Sequence, residues 1–152
     1  MARPTRGSDS PAASDAIVAF NQVLSEILDV VSVAKQADRK VPGSHPLHAE
    51  LDRLLNDLVA WSRRLMEEDD LLGVSALNFM PSAAGRHPPN RWPGAPTDEQ
   101  VITVLGELLG RLAGHLDVAA AEQTDDAARA ALQSVAQELA AHRQALAGCS
   151  GS

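Results

Sequence analysis

Apolar residues recur at three- and four-residue steps in four stretches of the chain, and this periodicity constrains the fold more than any other feature. The spacing is that of an amphipathic α-helix, which buries one stripe of side chains. The first stretch follows Ser14, whose side chain suits an N-cap, and runs to about Asp38. The second follows Ser44 and ends near Gly73. Strands are disfavoured because only 3% of the residues are aromatic and tyrosine is absent.

Two further helical stretches follow a segment rich in proline. The prolines between Leu77 and Pro96 are too frequent for a long helix. After them, Thr97 with Gln100 has the pattern of a capping box, and residues 124–126 (TDD) suit the start of a last helix that stops at Gly148. We therefore expect an all-α fold, a ferritin-like four-helix bundle over residues 14–148, with a long proline-rich crossover between helices 2 and 3.

Charge and the chain ends limit the classes of partner. A net charge of −7 argues against DNA as a main ligand, and the tail of residues 1–13, expected to be disordered, offers only Arg3 and Arg6 for a weak DNA contact. Residues 149–152 are expected to form a flexible end. Cys149 is the single cysteine, so an intramolecular disulfide is impossible. With no signal-like segment and no uninterrupted apolar run of spanning length, we expect a soluble cytoplasmic protein.

The hairpin of helices 1 and 2 resembles the Dps family, the mini-ferritins. Helix 1 of that family runs through K-Q-A-H-W-x-V, and residues 35–41 here read KQADRKV. Helix 2 of the family opens with L-H-x-x-x-D, which residues 47–52 (LHAELD) match. Residues 66–73 (MEEDDLLG) then stand where the family has an A-E-R segment and a Leu-Gly helix end. The resemblance covers the first two helices well, whereas the Glu-x-x-His pair of other ferritin-like metal sites is absent from the sequence.

The resemblance implies a hollow shell of twelve subunits that oxidises and stores iron in stress protection, with ferroxidase sites at subunit interfaces. Two ligands, at the positions of Glu26 and Asp38, would come from helix 1 of one subunit, and two, at Asp52 and Asn56, from helix 2 of its neighbour. Only Asp52 keeps the family's residue. An all-oxygen set of this kind suits Mg²⁺, Ca²⁺ or Mn²⁺ at least as well as iron.

The same residues also have explanations that involve no metal and no catalysis. The site could have lost its metal, with its carboxylates solvated or paired to Arg39, Lys40 and Arg53, and the protein would then be a structural or binding bundle without ferroxidase activity. His48, four residues before Asp52, could be an auxiliary ligand or a packing residue at the helix start.

Four other features outside helix 1 are also open to interpretation. Asp125 and Asp126 suit either a helix cap or, around a three-fold axis of a shell, an acidic pore for cations. His142 lies four residues after Glu138, the spacing of a surface pair. The two tryptophans are expected to be packing anchors. Glycines at positions 106, 110 and 114 indicate a tight helix crossing, inside the bundle or across a subunit interface.

Overall fold

Four α-helices account for most of the described chain. The computed structural model describes residues 11–41, 46–71, 92 and 96–149. Helix α1 spans Pro11–Lys40, α2 spans Pro46–Leu71, α3 spans Asp98–Glu122 and α4 spans Asp126–Gly148. The prediction of four helices is confirmed. The predicted start at Ser14 is wrong, because α1 begins three residues earlier at Pro11, a residue that a first helical turn accommodates.

The helices form a bundle in which every pair of neighbours is antiparallel. Helix α1 packs against α2 and α3, and α4 packs against the same two helices, so α1 and α4 lie at opposite corners. Gln123, just after α3, donates its side-chain N–H to the carbonyl of Ala16 near the start of α1 (3.0 Å). His142 near the end of α4 contacts Glu50 near the start of α2 (3.1 Å). Helices α2 and α3 therefore run in the same direction, and α3 begins at the end of the bundle opposite to the end of α2.

The predicted proline-rich crossover lies outside the described residues, except for Trp92, Pro96 and Thr97. Trp92 is buried, and its indole Nε1–H donates to the carbonyl oxygen of Val33 (3.3 Å). Thr97 caps α3 as predicted: its hydroxyl accepts from the backbone N–H of Gln100, whose side chain accepts from the N–H of Thr97. The Trp92 contact places that residue beside the last turns of α1, and the capping box sets the first residue of α3.

Each helix contributes one apolar stripe to a continuous core. The buried positions alternate in steps of four and three residues, a mean spacing of about 3.5 that gives coiled-coil-like packing between helices in a bundle. In α1 the positions with this spacing are Ala16, Phe20, Val23, Ile27, Val30, Ala34 and Ala37, and Leu24 and Val33 beside them are buried as well. In α2 they include Leu47, Leu51, Leu54, Leu58, Trp61 and Leu65, and in α4 Ala128, Leu132, Val135, Leu139 and Leu146. The sequence periodicity predicts these same five residues as the apolar stripe of the last helix, and the prediction is confirmed.

Candidate metal centre

Three metal-competent side chains meet where α1 passes into α2. Asp38 lies in the last turn of α1, and His48 and Asp52 lie four residues apart in the first turns of α2. Residues with that spacing project from one face of a helix, and the antiparallel hairpin turns this face toward the end of α1. One ligand atom from each residue lies within 4.8 Å of the others.

The geometry of the cluster is that of closely spaced ligands rather than of a satisfied hydrogen-bond network. Nδ1 of His48 lies 2.9 Å from Oδ1 of Asp38, and Nε2 lies 3.4 Å from Oδ2 of Asp52. Although the first distance is short, neither Nδ1 of His48 nor Oδ1 of Asp38 has a hydrogen-bond partner of acceptable geometry, and both atoms are shielded from solvent. The side chains of Asp38 and His48 are 19% and 26% exposed, whereas that of Asp52 is 52% exposed.

Electrostatics at the cluster favour either a bound proton or a bound cation. Burial raises the pKa of Asp38 above its ordinary value, and the nearby carboxylate of Asp52 raises it further, while the charge of His48 opposes the change. Two carboxylates held this close repel each other when both are ionised. Either a proton or a metal ion relieves this repulsion, and a divalent ion does so while leaving both groups deprotonated.

Two of the predicted ligands do not join this cluster within one chain. Glu26 lies twelve residues before Asp38, about 18 Å along the helix, and its carboxylate contacts Nδ1 of His115 on α3. Asn56 is exposed on α2. The all-oxygen set of four residues is therefore not assembled by a single chain, and His48, predicted only as an auxiliary ligand, takes a place in the cluster.

The sequence left these carboxylates either solvated or paired with Arg39, Lys40 and Arg53. In the structure Asp38 and Asp52 lie beside His48, and the side chain of Asp52 is 52% exposed. The guanidinium of Arg53 instead donates to Oε2 of Glu50 from Nε (3.2 Å) and from Nη2 (2.5 Å).

A second polar cluster, which sequence analysis missed, joins α4 to α2. The ring of His142 lies between two carboxylates, with Nδ1 3.1 Å from Glu50 and Nε2 2.6 Å from Asp57. Its edge packs against Trp61, with ring centroids 5.8 Å apart. The predicted surface pair of His142 with Glu138 is wrong, since the side chain of His142 is only 11% exposed.

Glu138, for its part, accepts a hydrogen bond from Arg64. The sequence does contain an indication that His142 is buried. It lies three residues after Leu139 and four before Leu146, and so continues the apolar stripe of α4. A position in that stripe faces the core, so His142 had to find its partners inside the bundle.

The acidic start of α4 acts as a helix cap. The side chain of Asp125 accepts from the backbone N–H of Ala128 (2.9 Å), which satisfies one of the open donors of the first turn. Asp126 is almost fully exposed and pairs with Arg129. The capping interpretation of Asp125 is confirmed, whereas the pore depends on an assembled shell and stays a prediction.

The glycines of α3 do not mark a close helix crossing within the bundle. A methyl group added at Gly106 or Gly114 would meet no atom within 4 Å, and one at Gly110 would lie 3.4 Å from the flexible side chain of Arg143. The interpretation as a crossing inside the bundle is wrong, because space is left at all three positions.

The remaining predictions concern the two ends of the chain and the hydropathy of α1. Arg3 and Arg6 lie outside the described residues. Cys149 is half-buried at the end of α4, where burial, followed by the charge of Glu50, raises the pKa of its thiol while Arg53 lowers it. Residues 15–40 of α1 reach the length and hydropathy of a membrane-crossing helix, a property that core helices of soluble bundles share.

The chain matches no protein-family model, and none of the curated proteins compared with it is significantly similar in sequence. The resemblance to the Dps family therefore stays a prediction based on residues 35–52 and 66–73. Function has to be inferred from the four-helix bundle and from the cluster at its corner.

Proposed function

We propose that the protein is a ferritin-like, Dps-type mini-ferritin that binds Fe(II) through Asp38, His48 and Asp52 and oxidises and stores iron as a cytoplasmic homo-oligomeric shell. The convergence of these three side chains at the α1–α2 corner is the observation that carries the proposal. Two carboxylates and an imidazole are ligands that ferrous iron accepts.

The arrangement of the helices supports the ferritin-like part of the proposal. All neighbouring helices are antiparallel, and α2 and α3, which run in the same direction, lie at diagonal corners. Ferritin-like bundles have this arrangement, in which one long connection joins two helical hairpins. Twelve-subunit assembly is taken from the sequence resemblance, and the half-exposed side chain of Asp52 leaves room for further ligands from water or a second copy.

A metal-binding bundle without ferroxidase activity is the second candidate, and one observation favours it. Because Glu26 contacts His115 on α3 rather than the cluster, a single chain gathers three ligands at this corner. Three ligands suffice to hold one ion with positions left for water, whereas an oxidising pair of irons needs more carboxylate bridges. Binding without rapid oxidation is the outcome this candidate predicts.

Anaerobic Fe(II) titration followed by oxygen or peroxide tests the proposal. The wild-type protein should bind iron saturably and oxidise it faster than buffer, and Asp52→Ala should abolish both effects. Asp117→Ala is the matched control, because Asp117 is an exposed aspartate of α3 remote from the cluster. Saturable binding with oxidation no faster than in buffer would establish the second candidate instead.

A further inference from the structure

We propose that Asp38, His48 and Asp52 of one chain form a self-contained site for a single divalent transition metal ion, which ties the end of α1 to the start of α2. This deepens the proposed function and rests on its metal site, but it differs from a site shared between subunits. Each ligand comes from the same hairpin, and none requires a second copy.

One of the two short separations fits a metal-ligand set directly, and the second aspartate reaches the same ion only after its side chain rotates. Ligands about 2.1 Å from a metal lie about 3.0 Å apart at right angles and about 3.4 Å apart in a tetrahedron. Nδ1 of His48 lies 2.9 Å from Oδ1 of Asp38, close to the right-angle separation, whereas the 3.4 Å separation from Oδ2 of Asp52 belongs to Nε2, the opposite nitrogen of the ring. His48 can give only one nitrogen to the ion, so one aspartate must rotate toward it. Asp52, with the most exposed side chain of the three, has the room to do so.

The presence of imidazole selects the class of metal. Nitrogen donors suit Fe²⁺, Co²⁺ and Zn²⁺, whereas Mg²⁺ and Ca²⁺ prefer sites made of oxygen atoms alone. His48 contributes the nitrogen, and its Nδ1 is shielded from solvent without a hydrogen-bond partner of acceptable geometry. The site therefore takes Co²⁺ or Zn²⁺ in preference to Mg²⁺, and three protein ligands leave at least one position for water.

Co²⁺ is the probe for the first test, because its visible d–d absorption reports inner-sphere coordination. The wild-type protein should bind one Co²⁺ per chain, and a large excess of Mg²⁺ should fail to displace it. His48→Gln should weaken binding about tenfold or more, on the scale of ligand-environment changes at metal sites. His115→Gln is the matched control, a histidine that also contacts a carboxylate but lies on α3. Circular dichroism verifies that each variant is folded.

Mixing two inactive variants decides whether the site belongs to one chain. In a mixed assembly of Asp38→Ala chains with Asp52→Ala chains, an interfacial site would be rebuilt from the intact residues of both, and Co²⁺ binding would return in a fraction of sites. A site within one chain cannot be rebuilt, so binding should stay at the level of the separate variants.

Recovered binding in the mixture would overturn the single-chain site and leave the proposed function standing. Displacement of Co²⁺ by equimolar Mg²⁺ would overturn the choice of metal class. Normal Co²⁺ binding without iron oxidation would refute ferroxidase activity and leave the inferred site intact. Absence of Co²⁺ binding would reject the inference, and the iron titration would then show whether any other site works.

Discussion

Replacement of His142 by alanine should destabilise the bundle far more than an ordinary surface substitution on α4. The imidazole contacts Glu50, whose side chain is 3% exposed, and Asp57, whose side chain is 44% exposed. Removing it takes one partner from a buried carboxylate, which keeps its hydrogen bond from Arg53. A hydrogen bond to a buried charged group contributes about 1.5–3 kcal/mol.

Two smaller contributions complete the estimate for His142→Ala. The edge-on contact with Trp61 adds about 0.5–1.5 kcal/mol. The contact with the half-exposed Asp57 adds at most about 1 kcal/mol, since solvent screens it. We therefore expect a loss of about 2–5 kcal/mol in the free energy of unfolding.

Glu138→Ala provides the matched comparison. Glu138 also joins α4 to α2, through Arg64, but both side chains are about two-fifths exposed, at 41% and 40%. Exposed ion pairs of this kind contribute about 0–1 kcal/mol. Urea unfolding followed by circular dichroism measures both losses, provided that the slope of the transition is unchanged.

A double-mutant cycle with Glu50→Gln then isolates the pair. A coupling energy above about 0.5 kcal/mol is expected for residues in direct contact. If His142→Ala cost no more than Glu138→Ala, or if the cycle showed no coupling, the assignment of His142 as the main polar tie between α2 and α4 would be refuted.

Two further predictions concern the glycines and the metal centre. Gly106→Ala and Gly114→Ala should each raise the free energy of unfolding by about 0.5–1 kcal/mol, because alanine favours a helix and the added methyl groups meet open space. Altered oligomer size in these variants would show instead that the stripe packs against a second copy. For Asp38, the pKa is raised in the folded state, so the folded protein binds this proton more tightly than the unfolded chain does. Its contribution to stability is fully present below the unfolded value of about 3.8 and is lost as the pH rises through the folded pKa. In chelator, the stability of Asp38→Asn relative to wild type should therefore increase from acidic to neutral pH, and equal pH dependence of the two proteins would contradict the assigned shift.

The fold was largely predictable because helix-forming periodicity and caps are local properties. The stripe of α4 and the capping box at Thr97 follow directly from neighbouring residues. In α1 the three- and four-residue spacing after Ser14 predicts Ile17 and Leu28 as core positions, and this part is wrong: both are only half-buried, whereas Val30 and Val33, which the spacing did not select, are buried. Helix α1 is apolar on much of its circumference, so composition alone does not say which face meets α2 and α3. Packing of the neighbouring helices decides this.

The sequence indicated the individual residues of the candidate site but not which of them come together in the fold. Asp38, Asp52 and His48 were each recognised, yet Glu26 was assigned to the same site through the spacing of the resembling family. The pairing of Glu26 with His115 joins residues 89 positions apart, and no local pattern signals such a contact. The same holds for His142, whose partners on α2 depend on which helices become neighbours.

The antiparallel arrangement has a consequence for cooperativity and for any attempt to divide the chain. Polar ties between the two hairpins join residues far apart in sequence, 107 positions for Gln123 with Ala16 and 92 for His142 with Glu50. Neither hairpin alone could satisfy its inward polar groups, so each half would be an incomplete unit. Separately expressed halves should therefore remain largely unstructured on their own and gain helical structure when mixed, as in fragment complementation.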